Sequence, residues 1–287
     1  MNSKTGVLYV VATPIGNLGD MTARAVEILR GVDLILVEDT RHAGILLRHF
    51  DIQSPLWSCH EHNERKQLPA VMQRLEDGQS IALISDAGTP LISDPGYVIV
   101  REARSRGFEV SPVPGASALI AALSVSGLPT DRFSFEGFVP AKAGPRERFI
   151  EQIGADSGTT VVYESSHRIL QTIESIEKVL GPDREIVVAR ELTKKFEQFY
   201  SGTAALVLQS IKDAEYGERG EFVVMIAGAS AAHADQQQVT KLMKLLLAEL
   251  PLKSACRIAA NWFGLNRNDL YQMGLELQQS TEAQSDG

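Results

Sequence analysis

Ser85-Asp86-Ala87-Gly88-Thr89-Pro90-Leu91-Ile92-Ser93-Asp94-Pro95-Gly96 is the most informative stretch of this chain. The apolar run Ile81–Ile84 stops abruptly in it, among small, turn-forming and carboxylate residues. Gly88 lets backbone approach a ligand closely, while Pro90 and Pro95 fix φ and stiffen the loop. In open α/β sheets a loop of this kind, at the carboxyl end of a strand, is where small molecules bind.

Outward from this loop the first half of the chain alternates. Val7–Ala12, Leu34–Val37, Ile81–Ile84 and Glu109–Val113 are short and rich in Val, Ile and Leu. Between them Thr22–Leu29, Arg41–Phe50, Lys66–Glu76 and Tyr97–Arg106 carry helical spacing, with Thr22 placed as an N-cap. The rhythm predicts βαβ units and a doubly wound parallel sheet. After Gly127 strands are expected at Phe133–Phe138, Thr159–Glu164, Glu185–Ala189, Phe196–Ser201 and Phe222–Ala227. The helices between them are expected at Arg148–Ile153, Ser166–Leu180 and Ala204–Ile211. Two neighbouring strands around Leu192–Lys195 with no helix between them imply an antiparallel pair and a mixed sheet. The fold class is therefore α/β, with two unequal α/β domains over residues 1–127 and 128–230.

A small helical extension is expected over residues 238–287. Val239–Leu250, Ser254–Phe263 and Asp269–Leu277 read as helices, separated by Pro251 and by the turn Gly264-Leu265-Asn266. Helix, short glycine turn and helix, with positive charge, is helix-turn-helix-like. Gly228–Gln237 reads as a linker and Ser280–Gly287 as a disordered tail.

Composition narrows the function classes. The chain has 287 residues, 44% hydrophobic and 22% charged, which are globular values and allow two domains. Cys59 and Cys256 are its only cysteines, which speaks against a disulfide framework and for a reducing cytoplasm. Val7–Ala12 is too short for a signal peptide, and no run approaches the ~18 apolar residues of a membrane span. A net charge of −8 excludes a uniformly basic nucleic-acid coat. Locally, however, Lys241, Lys244, Lys253, Arg257 and Arg267 stand against Glu249 alone, five charges less one, an excess of four. An acidic body with a basic appendage fits selective docking on something anionic.

Several constellations are excluded. Thr13–Gly19 follows the first strand, yet it lacks Gly-x-Gly-x-x-Gly and any Gly-Lys-Ser/Thr, so neither a dinucleotide fingerprint nor a P-loop is present. Ser117, in Val113–Ala118, lies at a helix start but not in a Gly-x-Ser-x-Gly elbow. Cys59–Glu64 has residue types suited to zinc but no His-Glu-x-x-His spacing, so it reads as a polar cleft loop and no metal is expected. Tyr163–Arg168 and Arg190–Phe196 place charges at strand ends, facing a cleft shared with the first domain. Lys142–Arg148 reads as a flexible basic loop.

Taken together, Thr13–Asn17, Glu38–His42, His60–Glu64, Asp86–Gly96, Pro114–Ala118, Tyr163–Arg168, Arg190–Phe196 and Gly220–Val224 resemble the tetrapyrrole methylase superfamily. Within it they are similar to the bacterial small-subunit (16S) ribosomal RNA cytidine 2′-O-methyltransferases. The resemblance implies S-adenosylmethionine in a cleft between the two domains and transfer of its methyl group to a cytidine 2′-hydroxyl near the decoding centre. It further implies small-subunit RNA as partner, no membrane, and a homodimer. A C-methyltransferase acting on a tetrapyrrole is the alternative.

Carried onto this chain, the resemblance assigns cofactor contacts to Pro14, Gly16, Asp86, Gly88, Thr89, Pro90, Ile92, Ser117, Ala118, Tyr163, Leu192 and Gly220. Candidates for proton transfer are Glu38, Asp39, His42, His60, His62, Glu164, His167 and Lys194. Candidates for gripping RNA are Arg41, His60, His62, Arg168 and Lys195 around the cleft, and Lys253, Arg257 and Arg267 in the extension. The residues alone do not choose among the bases.

Overall fold

The computed structural model describes residues 6–229, 231–263 and 265–285, without the side chains of 231–237 and 278–285. Its first half is built from β1 (Val7–Val11), α1 (Ala23–Gly31), β2 (Leu34–Val37), α2 (Thr40–His49) and β3 (Leu56–Ser58). It continues with α3 (Glu64–Glu76), β4 (Ile81–Leu83), α4 (Tyr97–Ser105) and β5 (Glu109–Val113). The strands form one parallel sheet in the order β3-β2-β4-β1-β5. One strand, β3, escapes the sequence reading: it has three residues and follows Pro55. Thr22 caps α1 as expected, its hydroxyl accepting from the Ala25 amide at 3.2 Å. Two apolar clusters cover the sheet faces, one around Ile35, Val37 and Ala82, the other around Leu34, Leu36 and Ile81. Adjacent β2 residues thus point to opposite faces, both buried, the pattern of a sheet with helices on both sides.

After α5 (Ala118–Val125) the second sheet begins. Its elements are β6 (Phe133–Phe138), α6 (Ala143–Gly154), β7 (Thr159–Ser165), α7 (Ile169–Leu180), β8 (Glu185–Arg190), β9 (Gln198–Thr203), α8 (Ala204–Asp213) and β10 (Glu221–Ile226). The order is β6-β7-β10-β8-β9, with β6 and β7 parallel and every other pair antiparallel. The mixed sheet and the β8–β9 hairpin agree with expectation; β9 starts two residues later than Phe196. The supposed basic loop Lys142–Arg148 is a correction. Ala143 onward is the first turn of α6, and Arg146 is buried, bonded to Ser175 Oγ at 3.0 Å and Gln171 Oε1 at 3.2 Å. Pro145 sits where a helix leaves its amides unpaired, so proline is tolerated there.

α9 (Ala231–Glu249), α10 (Leu252–Phe263) and α11 (Arg267–Ser285) form the extension around Val239, Met243, Ala255, Cys256, Ala259 and Leu270. α9 starts inside the stretch read as a linker, and α11 runs through most of the stretch read as disordered. Residues 230, 264 and 286–287, parts of the linker, the turn and the tail in that reading, lie outside the described residues. No helix among the described residues is long and apolar enough to cross a membrane.

Candidate active site

Three loops at the carboxyl ends of β1, β4 and β5 are tied to one another. Thr13 and Gly88 exchange both backbone hydrogen bonds, 2.9 and 3.0 Å, and Thr89 Oγ1 donates to the Ala116 carbonyl at 3.1 Å. Gly88 has φ +79°, and a Cβ there would come within 3.3 Å of Ile15. Leu91 and Ser93 also hold positive φ, 72° and 67°. In Leu91 and Ser93, unlike in the glycine, such backbone costs of order 1–3 kcal/mol per residue and persists only where the surroundings over-determine it. Here it throws Ile92 and Asp94 into a cleft.

The opposite wall comes from the second sheet and from α5, whose Leu119, Ala122 and Leu123 pack with Val161 and Val223 of that sheet. That helix begins at Ser117, whose side chain makes no cap hydrogen bond. The phenolic oxygen of Tyr163 accepts instead from the Leu119 amide at 3.2 Å, leaving the serine hydroxyl uncommitted. Phe135 and Phe138 meet the Tyr163 ring edge-on at 4.7 and 5.7 Å. Between the walls lies a cavity of about 370 Å3. Of the residues assigned to the cofactor, Asp86, Gly88, Thr89, Ile92, Ser117, Ala118, Tyr163 and Leu192 line it. Pro14 and Pro90 are buried behind the lining, and Gly16 and Gly220 pack under Lys194 and Glu191 respectively. Asp94, Phe138 and Glu221 line it without having been singled out. Asp94 stood in the quoted loop and Glu221 beside Gly220, but which side chains turn inward depends on loop geometry.

The β8–β9 connection is held by charge. Lys194 Nζ lies 2.8 Å from Glu191 and 2.7 Å from Glu221. Burial disfavours the ammonium, yet the two carboxylates outweigh it and raise the lysine pKa. Burial likewise opposes ionisation of Glu191, but Lys194 holds its carboxyl below the usual range. Lys194 Nζ thus stands between two carboxylates that favour its charged form. Glu191 and Thr193 carry φ of 51° and 63°, bracketing Leu192 as it enters the cavity.

The remaining candidates separate by their partners. Asp39 caps α2 and pairs with Arg41 at 2.7 Å, a hydrogen bond that holds the Asp39 carboxyl well below its ordinary range. Glu164 is buried, accepting from Thr172 Oγ1 and the Ser165 amide at 2.7 Å each and pairing with Arg168 at 2.9 Å. Both Glu164 and Arg168 are thus engaged within their own domain. His42 Nδ1 lies 3.6 Å from Asp86, and His167 is exposed in the turn before α7. Glu38 is different: burial, then the neighbouring Asp86 and Asp94, raise its pKa. Burial also raises Asp94, against a hydrogen bond from Ser85.

His60 and His62 stand 6.0 Å apart after β3, and Glu64 beyond them is buried, accepting from the Val98 and Ile99 amides at 2.9 and 3.2 Å. Cys59 is buried and its thiol is pushed up to about 11, and no described group of three His, Cys, Asp or Glu is placed to share a metal ion. The Lys195 ammonium rests 5.4 Å from the Phe196 ring. Lys253, Arg257 and Arg267 are exposed on α10 and at the start of α11, away from the cavity lining.

Residues 7–207 match the tetrapyrrole (corrin/porphyrin) methylases, and residues 233–278 match the RsmI C-terminal HTH domain. The chain belongs to the tetrapyrrole methylases. Among the relatives of this methylase are proteins named ribosomal RNA small subunit methyltransferase I. That of Pasteurella multocida is 47% identical over 278 residues, covering 96% of this chain and 99% of the relative. That of Pseudomonas aeruginosa is 48% identical over 276 residues, covering 95% and 98%. In fold the methylase also resembles a diphthine synthase, TM-score 0.59 at 16% identity over 80% of this chain and 93% of the other. A cobalt precorrin-4 methyltransferase gives TM-score 0.57 at 15% identity over 77% and 94%. These two likenesses concern the fold alone.

Proposed function

We propose that the protein methylates the 2′-hydroxyl of a cytidine in small-subunit (16S) ribosomal RNA near the decoding centre, with S-adenosylmethionine as donor. What carries the reading is the interdomain cavity, in a chain whose relatives, matched over nearly their whole length, are named small-subunit ribosomal RNA methyltransferases. The lining suits a donor that has no phosphate. It offers small residues at Ala87, Gly88 and Ala118, an uncommitted Ser117 hydroxyl, and apolar Ile92, Leu192 and Val223, with no lysine or arginine. Its volume is in the range of small-molecule sites. The tetrapyrrole alternative has support only from distant fold likeness.

S-adenosylmethionine, when bound, supplies a sulfonium-activated methyl carbon. Gly88, Thr89, Ser117, Tyr163 and Leu192 would hold it. The chain's further task is to present a ribose hydroxyl in line with that carbon, and orientation of this kind can supply ~7–11 kcal/mol. Glu38 is the acceptor assigned to the hydroxyl proton. It is half-buried beside Asp86 and Asp94 of the lining, and a general base so placed contributes about 10²–10⁴-fold. Arg41, with 90% of its side chain exposed, and Lys195 are left to meet phosphates at the cleft. A cytoplasmic homodimer belongs to the same proposal, with exposed Ile120 and Val125 on α5 as apolar surface for a second copy.

The test is methyl transfer from labelled donor to assembled small subunits, naked ribosomal RNA and a uroporphyrinogen-type macrocycle. Label in RNA, recovered in an alkali-resistant dinucleotide whose 5′ member is the ribose-methylated cytidine, is expected. Label in the macrocycle, or in an alkali-sensitive RNA product, contradicts the proposal.

A further inference from the structure

The extension's second helix, α10, divides cleanly by burial. Ala255, Cys256 and Ala259 face the extension's core. On the opposite arc lie Lys253, Arg257 and Asn261 in one row four residues apart, and Ile258 and Trp262 in the next. Trp262 is 78% exposed, the most open large apolar side chain among the described residues, and Ile258 is 38% exposed. The chain's other tryptophan, Trp57, is half-buried under the Arg74 guanidinium, 4.4 Å from the ring centroid. Arg267 is anchored beside this face, its Nη2 donating to the Lys253 carbonyl at 3.4 Å. No acidic residue occurs in α10, although the whole chain carries −8.

An indole left in water beside a row of cations is matched to one kind of partner. Bare apolar area is costly, and a stable protein interface takes about 800 Å2 from each side, whereas α10 itself offers two exposed large apolar side chains, Ile258 and Trp262. An unpaired nucleotide fits both rows at once: its base offers a face to stack on indole, and its flanking phosphates meet the lysine and arginines. A duplex would satisfy the cations and leave the indole unused.

We propose that α10 is a single-strand RNA platform, on which Trp262 stacks an unpaired base while Lys253, Arg257 and Arg267 hold the adjoining phosphates. It rests on the reading that RNA is the substrate, and gives the extension a share in choosing unpaired RNA. The platform is outside the cavity and takes no part in methyl transfer.

The experiment titrates the full-length chain, Trp262→Ala, Trp262→Phe and Arg257→Ala with a single-stranded RNA oligomer and with the same sequence as a duplex, following tryptophan emission and affinity across salt. Single-stranded RNA is expected to quench emission in the unaltered chain and much less in Trp262→Phe. Trp262→Ala is expected to weaken single-strand binding by about tenfold at an unchanged salt slope, with Trp262→Phe recovering most of it. Arg257→Ala is expected to lower the slope by about one. Calorimetry with S-adenosylmethionine should give the same affinity for Trp262→Ala as for the unaltered chain. Equal single-strand affinity in Trp262→Ala overturns the platform alone and leaves the methyltransferase reading standing. So does equal preference for duplex, or a change of oligomeric state in Trp262→Ala on sedimentation. An unaltered chain that binds no RNA at all overturns both.

Discussion

The side chain of Lys194 crosses directly over Gly16: a Cβ on that glycine would lie 2.4 Å from Lys194 Cγ. The loop after β1 of the first sheet is thereby closed against the β8–β9 connection of the second. The ammonium beyond it is fixed between Glu191 and Glu221. Gly16→Ala should push the lysine stem aside. Overpacking of this kind costs ~1–3 kcal/mol. The expected outcome is a donor affinity about tenfold weaker by calorimetry, with a lower unfolding midpoint in urea.

Lys194→Met keeps the stem and removes the charge. If the lysine were the base, the rate would fall by about 10²–10⁴-fold and the pH profile would lose a limb. As a clasp, its loss should chiefly raise the donor KM and leave the shape of the pH–rate profile intact. Steady-state kinetics across pH separates the two.

Glu38 and Asp94 bind their protons more tightly in the folded chain than in the unfolded one. Their contribution to stability is therefore full below the unfolded pKa values, 4.5 and 3.8, and is lost as pH rises through the folded ones. The charged form of each carboxylate is thus disfavoured in the folded chain relative to the unfolded one. Asp94→Asn should accordingly raise the melting temperature near pH 7 and leave it unchanged near pH 3. A rise of equal size at both pH values would contradict this sign.

Glu64 is the buried cap of α4. Gly96 before the helix has no side chain to offer, and the Val98 and Ile99 amides turn to the glutamate from thirty-odd residues away. Glu64→Ala strands these donors, which costs ~1–3 kcal/mol. Chemical denaturation should register the loss.

How far the sequence could be read follows from which interactions are local. The alternation of β-branched runs with helical spacing marked both sheets, because burial on two faces writes itself into consecutive residues such as Leu34–Val37. Leu56–Ser58 left no such mark, being a three-residue edge strand. Gly144 and Pro145 suggested a loop, yet a first helical turn accepts both, and Arg146 finds its partners on α7. At the site, the loop Ser85–Gly96 stood out through its glycines and prolines. The duties of Lys194 and Glu164 were hidden. Each depends on a neighbour's exact approach, Glu221 from twenty-seven residues away in the first case. Candidate bases with the same residue type were separable only once their partners were in view.

The most direct measurement is calorimetric titration of S-adenosylmethionine into the unaltered chain and into Gly88→Val. At φ +79°, with Ile15 3.3 Å from a Cβ, Val distorts the cradle while the sheet below it stays intact. One donor per chain for the unaltered protein, and affinity lost by a hundredfold or more in a folded Gly88→Val, is the expected result. No heat from the unaltered chain, or undiminished binding in the variant, would contradict the assignment of this cavity to the methyl donor.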